Sequence, residues 1–179
     1  MFDPTAFENM RVVMEGIFYD KDLSGDISIV DRNDVINTAK LSRVFDLSFQ
    51  LISSSLSKVT GRLTLEANLK NLAAELLPTS GSEKQAGCMV KVEFIFEHDS
   101  LESISLEVDQ SLREIWGGNR IIKQIIRYEP LMLNQIIHHT ALISFDRIIT
   151  EDQIDDMVEM VDYMMLTLEK LEKVINDQK

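Results

Sequence analysis

The chain has 179 residues, 45% of them apolar, with a formal net charge of −12 and a pI of about 4.6. That length and composition suit one domain with an ordinary buried core, so residues 1–179 are read as a single domain. A surface this negative repels phosphate backbones and anionic lipid, which argues against nucleic acid and against a membrane as partners.

Cys88 is the single cysteine, so no intrachain disulfide can form, which suits a reducing compartment. Met1-Phe2-Asp3-Pro4 lacks the basic and then apolar segments of a secretory signal. No run approaches the ~18 apolar residues of a membrane span. The expected setting is the cytoplasm.

Along the chain, Asp3-Pro4 marks a helix start. Val12 to Tyr19 carries two signals. Met10, Val13, Met14, Ile17 and Phe18 fit a helical face, while the β-branched and aromatic content favours a strand, and strand is the expectation. Ser24-Gly25-Asp26 is a turn signal, with Ile27 to Val30 as the returning strand. Arg43 to Ile52 alternates, with Phe45, Leu47, Phe49 and Leu51 on one side, as a half-buried strand requires. Val59 to Ala67 alternates too. Leu65, Leu69, Leu72, Ala73 and Leu76 then adopt helical spacing up to Pro78.

Pro78 to Gly87 reads as a loop. Cys88 to His98 has the sharpest alternation, through Val90, Val92, Phe94 and Phe96. Asp99-Ser100-Leu101-Glu102 has capping-box spacing and leads into a stripe of Leu101, Ile104, Val108, Leu112, Ile115 and Trp116. Gly117-Gly118 is a helix stop. Asn119 is read as the cap of a short helix bearing Ile121, Ile122, Ile125 and Ile126, ended by Pro130. Gln135 to Ile149 leans to strand through its Ile, Thr and Phe content.

Thr150 to Ile175 is the clearest helix, opened by the capping box Thr150-x-x-Gln153. Ile154, Met157, Val161, Met164, Leu168, Leu171 and Ile175 form a 3-4 seam, widened by Val158, Met160, Met165 and Val174. A face that broad suits covering a sheet or packing against a second subunit. Strands first and helices later define an α+β fold: an antiparallel or mixed sheet covered by helices, with a long amphipathic C-terminal helix.

Asp20, Asp22, Ser24, Asp26, Ser28 and Asp31, with Gly25 at the sixth position, resemble an EF-hand calcium loop. The resemblance covers Asp20–Asp31 and implies oxygen ligation of Ca²⁺. Asp31 stands where the family carries a bidentate Glu, and the flanks lack clear paired helices. An acidic turn accounts for the same residues.

Other constellations carry less chemistry. His138-His139 are adjacent, so on a strand they point to opposite faces and do not share one ion. Cys88 has no C-x-x-C partner and reads as a small buried hydrophobe. Ser53-Ser54-Ser55 lack a nucleophile elbow. Gly117-Gly118-Asn119 is too short to cradle a phosphate. Arg113, Arg120, Lys123 and Arg127 form a basic cluster, read as a solvated helix face.

No catalytic, cofactor or metal residue is therefore assigned, and no cofactor is expected. The leading functional expectation is a small acidic cytoplasmic module, regulatory or chaperone-like and non-enzymatic, that binds protein and forms a homodimer. Ca²⁺ binding through Asp20–Asp31 is one alternative. An enzyme with a dispersed site around His98, His138 or His139 is the other.

Overall fold

The computed structural model of the protein describes residues 5–52, 58–77, 82–99, 104–131 and 136–177. Among them the chain forms α1 (Thr5–Ser24), β1 (Ile27–Asn37), β2 (Ser42–Leu51), β3 (Thr60–Ala67) and α2 (Leu69–Leu76). There follow β4 (Gly87–His98), α3 (Ile104–Trp116), β5 (Ile121–Arg127), β6 (Ile137–Ser144), β7 (Ile149–Thr150) and α4 (Ile154–Asn176). The expected α+β class is observed. The strands make one antiparallel sheet in the order β1-β2-β3-β4-β6-β5, with β7 resuming the pairing on β4.

Alternation along the strands gives the sheet one apolar face. Phe45, Leu47, Phe49, Leu63, Leu65, Val90, Val92, Phe94, Ala141 and Ile143 are all buried on it. All four helices bury residues in the same core. The opposite face carries Asp46, Arg62, Glu93 and the Lys91–Glu66 pair at 2.7 Å, as expected of an antiparallel sheet wetted on one side.

Helix α4 lies across the middle of this core, between α1 and α3. The seam behaves as its spacing predicts: Met157, Val161, Met164, Leu168, Leu171 and Ile175 are buried, and Ile154 packs beside them. Each such side chain contributes roughly 1.5–3 kcal/mol on burial. The broad apolar face therefore covers the chain's own sheet, leaving Val158 exposed and Met165 and Val174 half-buried.

Two elements correct the sequence reading. Val12 to Tyr19 lies inside α1, where Phe7, Met10, Met14 and Phe18 form a buried helical stripe. Helical spacing outweighs β propensity here because a core is available to bury the stripe. Arg11 also pairs with Glu8 and Glu15 at helical separations. Conversely, the expected helix after Asn119 is strand β5. Four isoleucines lose side-chain freedom in a helix, and the segment between Gly118 and Pro130 is too short to nucleate one without help. Pairing with β6 supplies that help.

Other ends are set by local chemistry. Asn68 caps α2, accepting from the Lys70 and Asn71 N–H groups at 2.9 and 3.3 Å. Gly117 stops α3 with φ +83°, the left-handed conformation that glycine tolerates. Asp3-Pro4, Pro78, Ser53–Ser55 and the capping-box residues Ser100 and Glu102 lie outside the described residues.

The crossing of β4 and β7 is tight. A Cβ on Gly87 would stand 2.1 Å from the Ile149 carbonyl oxygen. Gly16, in the interior of α1, has nothing within 4 Å of the same position. Gly87→Ala is expected to destabilise by about 1–3 kcal/mol through overpacking. Gly16→Ala is expected to stabilise by roughly 0.5–1 kcal/mol through helix propensity. Urea unfolding midpoints check both, and the two shifts must have opposite signs.

Candidate functional site

The two outer strands differ in how they meet solvent. Strand β1 is guarded: its register slips between Ile29 and Asp31, and its inward positions hold the charged residues Arg32 and Asp34. Arg32 pairs with Glu15 of α1, and Asp34 pairs with Arg43 at 2.8 Å. Arg43 also reaches Glu8 at 2.8 Å, so the ions tie α1 to the β1–β2 margin. The guanidinium groups hold the Glu8 and Asp34 carboxyls below their usual range, Arg11 first for Glu8 and Arg43 first for Asp34. Bulges and inward charges are common protections of a sheet margin.

Strand β5 has neither device. Its pairing with β6 runs unbroken from Ile121↔Ser144 to Arg127↔His138. Ile121, Ile125 and Ile126 are 41, 41 and 39% exposed. Leu106, Tyr128, Leu131 and Ile136 stand exposed on the neighbouring segments. Between Gly117 and Tyr128 there are three cations, Arg120, Lys123 and Arg127, and no acid. The basic cluster is thus a strand margin and not a helix face, except Arg113, which lies on α3 and pairs with Asp109 at 2.7 Å.

Beneath β5 lies a buried polar chain. His139 is fully buried, and His98 is 8% exposed. Gln124 donates from Nε2 to the Ser105 carbonyl at 2.9 Å, which turns its Oε1 toward His139 Nε2 at 2.7 Å. His139 Nε2 therefore carries the proton and its Nδ1 is bare. His98 Nε2, 3.1 Å from that Nδ1, is the donor. The tautomer of each ring follows from its neighbour. The Phe96 ring lies against His139 at 4.6 Å. As expected from alternation, His138 points to the other face, where its Nδ1 is 3.0 Å from Glu97.

A cleft of about 520 Å³ opens between the end of α3 and the first half of α4. Trp116, Phe145 and Tyr163 form its aromatic wall, with Trp116 6.3 Å from Phe145 and 5.9 Å from Tyr163. Trp116 donates to Thr167 Oγ1 at 2.9 Å, and that hydroxyl donates to the Tyr163 carbonyl. Arg120 covers Phe145 at 4.8 Å. Glu114, Asp156 and Glu159 line the cleft together with Arg120 and Arg147, so charges of both signs stand around the opening.

The calcium-loop residues are spread over two element types. Asp20, Asp22 and Ser24 lie in α1, whereas Ser28 and Asp31 lie in β1. Asp22 accepts from the Ile29 N–H at 3.1 Å, and Ser24 donates to Asp26 at 2.8 Å. These carboxylates stitch a helix-to-strand turn. Among the described residues, no group of three or more His, Cys, Asp or Glu is placed to hold a metal ion. Cys88 is buried, 3.9 Å from Met10 Sδ, and burial pushes its thiol up to about 12, which suits the packing role read for it.

Sequence reasoning missed Gln124 and Ser105 because their partners are distant along the chain. His98 and His139 were visible as candidates, and the structure brings them together while sending His138 away. No helix among the described residues is long and apolar enough to cross a membrane. The chain matches no known protein family, curated protein or solved structure.

Burial, with His98 adding to it, holds the His139 imidazole down to about 4. The unfolded chain takes up that proton near pH 6.5. The folded state therefore keeps its full advantage above about pH 6.5 and loses it as pH falls toward about 4. The full shift corresponds to on the order of 3 kcal/mol. Urea midpoints measured across that window should fall for the wild type and fall less for His139→Gln.

Proposed function

We propose that this protein is a non-enzymatic, protein-binding module that acts as a homodimer, with two copies joined at strand β5. The observation that carries the reading is the β5 margin, which among the described residues has neither a bulge nor an inward charge. An exposed, regular, apolar margin strand is a template for pairing with another chain. Helix α4, whose broad face suggested a second subunit, spends that face on its own sheet. Its motive for dimerisation passes to β5. The single buried thiol fits a reducing, cytoplasmic setting.

A two-fold axis through the sheet at Gln124 pairs the whole of β5 with its copy. Alternation requires opposed residues to share a face, so only registers that shift by whole steps of the axis are allowed. Centred on Gln124, Lys123 faces Ile125, Ile121 faces Arg127 and Ile122 faces Ile126. Moving the axis to Lys123 sets that lysine against itself. Moving it to Ile125 sets Lys123 against Arg127. Like charges directly opposite are destabilising, so Gln124 is favoured over these two centres, and it is the centre that pairs Ile121–Arg127 from end to end. The closed two-fold contact also leaves no further margin of this kind to propagate a fibre.

Sedimentation equilibrium of the intact chain tests this. The wild type should be a dimer at micromolar concentration. Ile125→Lys places two lysines opposite one another on either side of the axis and should weaken dimerisation by about tenfold or more. Adding Lys123→Glu to Ile125→Lys places Glu opposite Lys and should restore it. A wild-type monomer at high micromolar concentration would sink the reading, and so would a pair of substitutions whose effects simply add.

A further inference from the structure

The polar chain under β5 has a direction, and that direction makes it sensitive to acid. Ser105 belongs to the first turn of α3, Gln124 to the middle of β5, His139 to β6 and His98 to the end of β4. The chain therefore ties four consecutive elements at one corner of the molecule. We propose that Ser105, Gln124, His139 and His98 form an acid-released latch that holds strand β5 flat against α3 and β6.

The warrant is the hydrogen-bond geometry. Every link runs one way: His98 donates to His139, His139 to Gln124 through its oxygen, and the Gln124 amide to Ser105. A proton added to His139 goes on Nδ1, since Nε2 is already protonated. That nitrogen then points a donor at the His98 Nε2–H, 3.1 Å away. Two donors face one another in a buried site, which costs a desolvated hydrogen bond as well as charge repulsion. Relief requires the His98 proton to move from Nε2 to Nδ1, the His98 ring to flip or the corner to open.

Among the described residues, the hydrogen-bond partners of the His139 ring are His98 and Gln124, and neither is a carboxylate. On β4 and β6, Glu97 and His138 pair with each other on the opposite face of the sheet. On β5, Lys123 and Arg127 alternate onto that same opposite face. On α3, Ile104 and Val108 are the buried residues of the first turns; Glu107 is exposed, and Asp109 is engaged by Arg113. Phe96 is the ring stacked on His139. Among the described residues the imidazolium thus meets the Phe96 ring, the Gln124 amide oxygen and a second imidazole.

The consequence for assembly rests on the β5 dimer proposed above, because Gln124 is the residue on the two-fold axis. Opening the corner at low pH would disorder the strand that pairs, so dimerisation should weaken on acidification. Here the latch and the dimer are separately measurable.

Imidazole nitrogen shifts read the latch in the intact protein whatever its oligomeric state. At neutral pH they should show His139 protonated on Nε2 and bare on Nδ1. Amide exchange, corrected for its intrinsic pH dependence, should accelerate in β5 and the first turn of α3 on acidification, ahead of β2 and β3. In His139→Gln that selective acceleration should vanish. Gln124→Glu, which gives the His139 Nε2–H a carboxylate, should move the midpoint toward neutral pH. For the dimer, the dissociation constant should rise at least several-fold over the same range in the wild type and stay level in His139→Gln. The reverse tautomer, or exchange that rises equally throughout the sheet, would overturn the latch. A wild type that is monomeric at every pH while showing the selective exchange would keep the latch and remove the dimer. Selective exchange with a pH-independent dissociation constant would overturn the coupling alone.

Discussion

One face of the sheet is apolar, and α4 keeps it dry. Its buried seam lies over β2, β3 and β4, and α1 and α3 pack along its two sides. With the middle of the face covered, α1 is placed over the β1 side and α3 over the β5 side. The Trp116–Thr167–Tyr163 hydrogen bonds fix α3 to α4 and so decide where the first turn of α3 meets Gln124. The latch, the cleft and the β5 margin all inherit their positions from that packing.

The same constraint explains why the sheet's two margins differ. Helix α1 runs beside β1 and meets it through an ion network of arginines and carboxylates. Those ions need inward charges on β1, and inward charges also spoil the margin for pairing. On the other side, α3 meets β5 through one glutamine and a carbonyl. That contact leaves Ile121, Ile125 and Ile126 outside, while Ile122 packs against the core. A protein with a net charge of −12 keeps a stretch of three cations without an acid at this one margin. Repulsion between the acidic bodies of two copies is thereby lowest where they would meet.

How much of this was legible in the sequence depended on whether neighbours along the chain were also neighbours in space. Strands β2, β3 and β4 were plain, because Phe45 to Leu51, Leu63 to Ala67 and Val90 to Phe96 alternate and the sheet buries one side of them. The α4 seam was plain for the equivalent reason at helical period. Val12 to Tyr19 misled because its propensity and its spacing disagree, and only the presence of a core to receive Met10, Met14 and Phe18 decides between them. Ile121 to Arg127 misled in the opposite sense. Ile121, Ile122, Ile125 and Ile126 satisfy a helical stripe and a two-sided strand equally, and β6 decides the matter from a distance. The Asp20–Asp31 pattern was legible as an acidic turn once its flanks were weighed. Its carboxylates serve a turn from helix into strand.

Period and composition along the chain are sufficient for the α+β class, the long C-terminal helix, the face each regular strand buries and the divergence of His138 from His139. These follow from local stereochemistry, which the residues carry with them. Which margin of the sheet is guarded, whether α4's broad face is spent inward, and that His98, His139, Gln124 and Ser105 form one directed chain are properties of contacts between remote segments. Burial and hydrogen-bond direction arise only when those segments meet, so the packed molecule alone supplies them.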